Sequence, residues 1–305
     1  MDLLYKAQTR FLFHAHVKLK LPLFCADSCF DHLFSLMEEV DRCYNSYRAG
    51  SYVDQINRHA GCFVEVDDVT VSLLRRVMRW SDFFHGAFDI TIMPLIRLWG
   101  FYKEEVCHIP DSDAVEATKR RIDYRRIEID GNRVRIGQGQ EIITGSFLKA
   151  YAVDRLMAEL GEMGIEDAVI NAGGSTICAV NDELHPAWTV NVREPAGNGL
   201  LYKLRLSNKC YTTSSQRETY VTIDGRKYGH ILNPLTGFPS ANRMVGIVTD
   251  NCMDGDILST GLFLLGLEAF IPTMARLQEQ MAIEGFLMDG DGQIVHTREF
   301  PVYLA

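Results

Sequence analysis

His230 is the side chain best suited by its surroundings to move a proton. It lies in Gly229-His230-Ile231-Leu232-Asn233-Pro234-Leu235-Thr236-Gly237-Phe238-Pro239. Pro234 fixes its own φ and holds Asn233 extended, and Gly237 can take a positive φ, so the segment reads as a rigid turn. An imidazole held at a strand end by such a turn titrates near neutrality and can act as a general base; a surface or core histidine is the plainer alternative. Asp256 and Thr260 stand four residues apart in a segment expected to be helical, and so share one face a turn apart. A carboxylate and a hydroxyl in that arrangement suit a hard cation such as Mg²⁺. N-capping by Asp254 or Asp256 is the alternative. Gly145-Ser146, running into Lys149, opens a helix whose free N–H groups can meet an anion, and Gly173-Gly174 lets a backbone approach a ligand closely. Asp89 sits among apolar residues and needs a partner if buried, with helix capping as its plainer role. Tyrosines in the stretch 44–51 can stack on a planar ligand.

The elements that must position these residues follow from periodicity. Phe11, Phe13, Ala15, Val17 and Leu19 alternate as a strand, and Ser28 is placed to cap a helix running to Tyr44. A second helix is expected over 69–84, and a strand pair over 123–143 turning at Asp130-Gly131-Asn132. A helix then starts near Lys149, followed by strands at 168–171, 188–195, 201–206 and 219–223, with Thr212–Glu218 as connection and Asp224-Gly225 as a hairpin turn. Beyond His230 come a strand at 245–249, the Asp256 helix through Leu265, a helix near 268–280 and a terminal hairpin turning at 289–292. Mixed strands and helices of this kind predict an α+β protein.

At 305 residues, with 47% hydrophobic and 23% charged, the chain can bury a large core, and no linker-like tract divides it, so 1–305 is expected to be one unit. The net charge of −9 with scattered Lys and Arg argues against a nucleic-acid partner. No apolar run is long enough for a spanning helix, and the start does not read as a signal peptide, which predicts a cytoplasmic protein as the sequence stands, with a removed export signal or a membrane-associated acceptor as the alternatives. The eight cysteines show neither C-x-x-C nor histidine spacing, so no zinc motif is present and reduced thiols are expected.

Taken in order, several segments resemble the ApbE family of FAD:protein FMN transferases. They are Asn45-Ser46-Tyr47 with Ser51 and Ile56-Asn57; Gly86-Ala87-Phe88-Asp89-Ile90-Thr91 with Pro94-Leu95 and Leu98-Trp99-Gly100-Phe101; Lys149-Ala150-Tyr151-Ala152-Val153-Asp154; Asn171-Ala172-Gly173-Gly174; Thr213-Ser214 with Glu218; His230 with Asn233-Pro234-Leu235-Thr236-Gly237; and Asp256 with Ser259-Thr260. The resemblance implies an ApbE-like, T-fold-like α+β fold of mainly antiparallel sheets packed by helices, with a cleft between two lobes. It implies FAD as substrate and Mg²⁺ as cofactor, with FMN moved onto a threonine or serine hydroxyl of an acceptor protein and AMP released. Hydrolysis of FAD to FMN and AMP, or FAD binding with impaired or no transferase chemistry, is the alternative. Carried over to this chain, His230 is the base, while Asp256, Thr260 and the main-chain carbonyl of Leu148 hold the metal. Tyr47, Ala87, Phe88, Asp89, Gly145, Tyr151, Glu218 and Ile231 line the flavin dinucleotide. The chain departs from the family pattern at Asn233 and Ser175, where Asp is usual, at Ala150 and Ser215, where Gly is usual, and at Gln8-Thr9, where Gly-Thr is usual. Loss of a carboxylate near His230 is expected to bear on the orientation or pKa of the imidazole.

Overall fold

The computed structural model describes residues 5–101, 108–195, 197, 199–216 and 219–305. In chain order these form β1 (Tyr5–Leu12), β2 (Ala15–Pro22), α1 (Asp27–Tyr44), α2 (Tyr52–Arg58), β3 (Val64–Glu65), α3 (Asp68–Phe83), α4 (Met93–Leu98) and α5 (Ser112–Lys119). There follow β4 (Glu128–Asp130), β5 (Arg133–Arg135), α6 (Leu148–Glu162), β6 (Ala168–Ala172), β7 (Thr176–Val180), β8 (Trp188–Arg193), β9 (Leu200–Leu206) and β10 (Cys210–Ser215). The chain finishes with β11 (Tyr220–Ile223), β12 (Arg226–Gly229), β13 (Met244–Thr249), α7 (Cys252–Phe263), α8 (Leu267–Gln278), β14 (Ile283–Met288) and β15 (Ile294–His296). They divide into two compact units, Met1–Asp41 with Phe147–Ser214 and Arg243–Ala305, and Arg42–Ser146 with Ser215–Asn242.

The first unit is built on an eight-stranded sheet in the order β1-β2-β6-β7-β10-β13-β14-β15. Pairing is antiparallel at β1–β2, β2–β6, β6–β7, β7–β10, β13–β14 and β14–β15. The strand period of two sorts its side chains. Ile177 and Ala179 of β7 and Tyr211 of β10 face a core completed by Trp188, Val190 and Leu204 of the β8–β9 hairpin, with Phe286 and Phe300. The intervening residues, Thr176 and Cys178 on β7 and Cys210, Thr212 and Ser214 on β10, turn to the other face, where Asp256, Ser259 and Gly255 of α7 meet them. α7 is buried on nearly every side, its Asp254, Asp256 and Ser259 included.

In the second unit α2, α3 and α4 carry the apolar residues. Met93, Leu95, Ile96, Trp99, Phe101, Val115, Ile223 and Leu232 form its central cluster. The β11–β12 hairpin turns at Asp224 (φ 49°) and Gly225 (φ 77°), the pair of positive φ values that a two-residue hairpin loop requires.

Four local expectations are corrected. Helix α1 begins at Asp27, so Ser28 lies inside its first turn and does not cap it. The N-cap of α7 is Asn251, whose Oδ1 accepts from the Asp254 amide at 2.9 Å; Asp254 and Asp256 therefore belong to the helix body. Asp89 caps no helix, since the residue preceding α4 is Ile92. Cys210–Ser215, expected in part as a connection, is a strand near the centre of the sheet. Its Thr212 and Ser214 hydroxyls face a buried helix, not water, and this hid its strand character. No helix among the described residues is long and apolar enough to cross a membrane.

Candidate functional site

In the first unit, α7 projects Asp256 onto the sheet. The carboxylate is 7% exposed, and among the described residues it accepts hydrogen bonds only from Thr176 Oγ1, 3.0 Å from each of its oxygens. Burial pushes its pKa up to about 6, and the nearby Lys149 charge and the Thr176 hydroxyl oppose the rise. One turn on, Thr260 Oγ1 donates to the Asp256 carbonyl at 2.9 Å, which commits the hydroxyl proton and leaves oxygen lone pairs available. Ser214 Oγ lies 3.0 Å from Ser259 Oγ and 3.2 Å from Thr260 Oγ1. Thr212, paired with Thr176 across β10 and β7, has its Oγ1 buried without a hydrogen-bond partner among the described residues.

The start of α6 carries Leu148, Lys149 and Tyr151. The N-cap position is Phe147, which supplies no side-chain cap. Lys149 Nζ donates to Ser175 Oγ and to the Ala172 carbonyl at 3.3 Å. The Ala172–Ser175 turn thus wraps the ammonium. Asn171 Oδ1 accepts from the Gly174 amide at 2.8 Å, and Gly173 (φ 70°) leaves no room for a side chain, because a Cβ there would stand 2.9 Å from Ala15 Cβ. Ser175, where the family usually has Asp, therefore gives Lys149 a neutral acceptor in place of a carboxylate.

The second unit ties three loops together. Ser51 Oγ accepts from Asp54 N to cap α2 and donates to the Asn45 carbonyl, closing the loop that presents Tyr47. Ser46 N donates to Thr144 Oγ1 at 3.1 Å, and the Asn57 amide bonds both the N–H and the carbonyl of Ile142. These bonds fix the strip leading to Gly145. Ile143 N reaches Ile90 O at 2.8 Å, joining that strip to Ala87-Phe88-Asp89. Tyr47 and Gly145 are exposed, whereas Ala87, Phe88 and Asp89 are buried. Asp89 Oδ1 accepts from Thr91 N and Oγ1, both at 2.7 Å, and Oδ2 from Tyr124 N at 2.8 Å. Burial raises its pKa against those hydrogen bonds. Both oxygens are thus engaged in holding the loop.

His230 follows β12, and Ile231 after it is buried. Its Nδ1 lies 3.1 Å from the Thr219 carbonyl. A carbonyl can only accept, so Nδ1 carries the proton and Nε2 holds the lone pair. Burial lowers the imidazole pKa, with a smaller opposing effect from the Thr219 bond, so at neutral pH the ring is an uncharged base. The following turn is held by Gly237 N on Asn233 O at 2.7 Å and by Trp99 Nε1 on Gly237 O at 2.8 Å. Asn233 Oδ1 accepts from Leu235 N at 2.8 Å. This Asx turn needs only an oxygen at that position, and His230 takes its orientation from Thr219. An Asp carboxylate could supply the same oxygen to Leu235 N.

The structure brings Asp256 and Thr260 together on α7, and Tyr47, Ala87–Asp89 and Gly145 onto linked loops. Glu218 lies outside the described residues. Thr176, the hydrogen-bond partner of Asp256, escaped sequence reasoning, and Ser214 was singled out only as part of the Thr213-Ser214 segment. The available signal was a hydroxyl residue, Thr176, opening the otherwise apolar run Thr176-Ile177-Cys178-Ala179.

This α+β arrangement is shared with solved ApbE structures. Its likeness to the ApbE protein of Thermotoga maritima has a TM-score of 0.91 at 24% identity, covering 99% of this chain and 100% of that one. The flavin transferase ApbE from Vibrio cholerae is similar with a TM-score of 0.87 at 21% identity, covering 99% and 100%. The ApbE family model matches residues 9–284, and the chain belongs to the ApbE family. Among curated relatives, the FAD:protein FMN transferase of Treponema pallidum is 25% identical over 93% of this chain and 83% of its own length. That of Klebsiella pneumoniae is 29% identical over 77% and 75%.

Proposed function

We propose that this chain is a FAD:protein FMN transferase that uses Mg²⁺ to move FMN from FAD onto a threonine or serine hydroxyl of an acceptor protein, releasing AMP. Family membership and the shared name of the curated relatives support flavin transfer. The observation that carries the metal-dependent reading is the buried Asp256 carboxylate, whose only hydrogen-bond donor among the described residues is the Thr176 hydroxyl. A buried carboxylate so poorly compensated favours a cation. The donor set of Asp256, Thr260 and the Leu148 carbonyl is all oxygen and fits Mg²⁺, which takes few protein ligands and keeps its remaining positions for phosphate and water. Bound there, Mg²⁺ would neutralise charge on pyrophosphate oxygens.

The chain's own residues supply the rest. Thr176 orients the Asp256 carboxylate, and Thr260 offers lone pairs because its proton is already given to the helix. Lys149 adds a formal positive charge at the start of α6, suited to a phosphate. Tyr47 presents an exposed ring for stacking, and the backbone of Ala87-Phe88, fixed by Asp89, shapes the adjoining wall. His230 Nε2, basic and unprotonated near neutrality, accepts the proton of the attacking hydroxyl. The test is AMP release from FAD with Mg²⁺ and a threonine-bearing acceptor peptide, for wild type and His230→Ala. The expected result is a loss of about a hundredfold or more in rate with FAD affinity retained. Equal rates for the two proteins would remove His230 from the chemistry.

A further inference from the structure

Three cysteines far apart in sequence meet beneath α7 in the first unit. Cys178 on β7 and Cys210 on β10 are directly paired across the strands, with Sγ atoms 2.6 Å apart, and Cys252 is the first residue of α7. All three sulfurs lie within 4.8 Å of one another, and the residues are 1%, 1% and 0% exposed. Strand alternation puts Cys178 and Cys210 on the helix-facing side with Thr176 and Thr212. Cys252 precedes Asp256 by one helical turn, so the thiols form their own layer beside the oxygen set.

We infer that Cys178, Cys210 and Cys252 form a binding site for one soft, thiolate-seeking d¹⁰ cation, distinct from the hard-oxygen set on the same helix. The chemistry separates the two sites, since sulfur selects Cu(I) or Zn²⁺ and carboxylate with hydroxyl selects Mg²⁺. Among the described residues no fourth His, Cys, Asp or Glu joins the group. Three sulfurs alone match the low coordination number of Cu(I), whereas Zn²⁺ would need a fourth donor. Nearby Asp154 is already engaged, its oxygens accepting from Cys252 N at 2.6 Å and Met253 N at 2.9 Å. Those bonds anchor the first turn of α7, which begins at Cys252. Binding would release the thiol protons to solvent and form metal–sulfur bonds with no change in oxidation state.

The test uses the full reduced chain without oxygen, challenged with Cu(I) held by bicinchoninate and, separately, with Zn²⁺ held by a pyridylazo dye. The expected result is one cation kept per chain in at least one arm. Affinity should fall by about tenfold or more in Cys178→Ala and Cys252→Ser but not in Cys62→Ser, an exposed control. Circular dichroism and a thermal melt show which variants are folded. On the wild type, which needs no variant, the bound cation should shield Cys178, Cys210 and Cys252 from alkylation mapped by mass spectrometry. Retention of neither cation would overturn the inference, as would equal retention by folded Cys178→Ala or Cys252→Ser. A chain two hydrogens lighter, with Cys178 joined to Cys210 in place of cation uptake, would overturn it as well.

Discussion

Replacing Asp256 by Asn should make the metal-free protein more stable in alkaline than in acid solution, relative to wild type. Burial lifts the Asp256 pKa from an ordinary 3.8 to about 6. A carboxyl whose folded pKa is raised holds its proton in the folded state while the unfolded chain has lost it. Stability is therefore unaffected below the unfolded value, falls as pH rises through the interval between the two, and stays reduced above pH 6. About two units at 1.36 kcal/mol each give a loss of roughly 3 kcal/mol by pH 8. Asn cannot ionise and keeps much of the shape, including an oxygen for Thr176 Oγ1. The assay is urea unfolding of both proteins in chelator at about pH 4 and about pH 8, where every other titrating group is shared and cancels. The difference between Asn and Asp should move by roughly 3 kcal/mol in favour of Asn across that range. Added Mg²⁺ should then stabilise wild type at the higher pH and leave Asp256→Asn unchanged. A difference between the two proteins that does not vary with pH would refute the claim that Asp256 is held ionised at a cost.

Thr176→Val, nearly isosteric, removes the only hydrogen-bond donor to that carboxylate among the described residues. Mg²⁺ affinity by calorimetry should weaken about 10- to 100-fold with the fold retained. Gly237→Ala forces a side chain onto φ 80°, with its Cβ 2.3 Å from Val115 Cγ1, and should cost about 1–3 kcal/mol in urea unfolding. Asn233→Asp keeps the oxygen that accepts from Leu235 N, so stability within about 0.5 kcal/mol of wild type and an unchanged transfer rate are expected. Because burial depresses the His230 pKa, the acid limb of the rate profile should fall below the ordinary imidazole value of about 6.5; a limb above it would contradict the burial argument.

Much of this fold was readable where the cause is local. The helices α1, α3 and α8 declare an apolar face, and Asp224-Gly225 declares its hairpin by turn chemistry alone. The α7 pair was legible because four residues are one helical turn. β10 was not, since its hydroxyls answer to a helix 40 residues later and no pattern within Cys210–Ser215 shows that helix. The same holds for Thr176 with Asp256, 80 residues apart, and for the three cysteines, whose spacing carries no ligand motif although the strand pairing sets two of them face to face. The departures at Ser175 and Asn233 could be weighed only once their partners, Lys149 Nζ and Leu235 N, were seen.

The most direct test of the proposed activity is a mass measurement on a threonine-bearing acceptor peptide after incubation with the chain, FAD and Mg²⁺, with AMP counted in the same sample. The account predicts FMN covalently attached to the threonine and one AMP released for each modified peptide. AMP formed together with free FMN at the same rate whether or not the peptide is present would contradict it and make the chain a hydrolase.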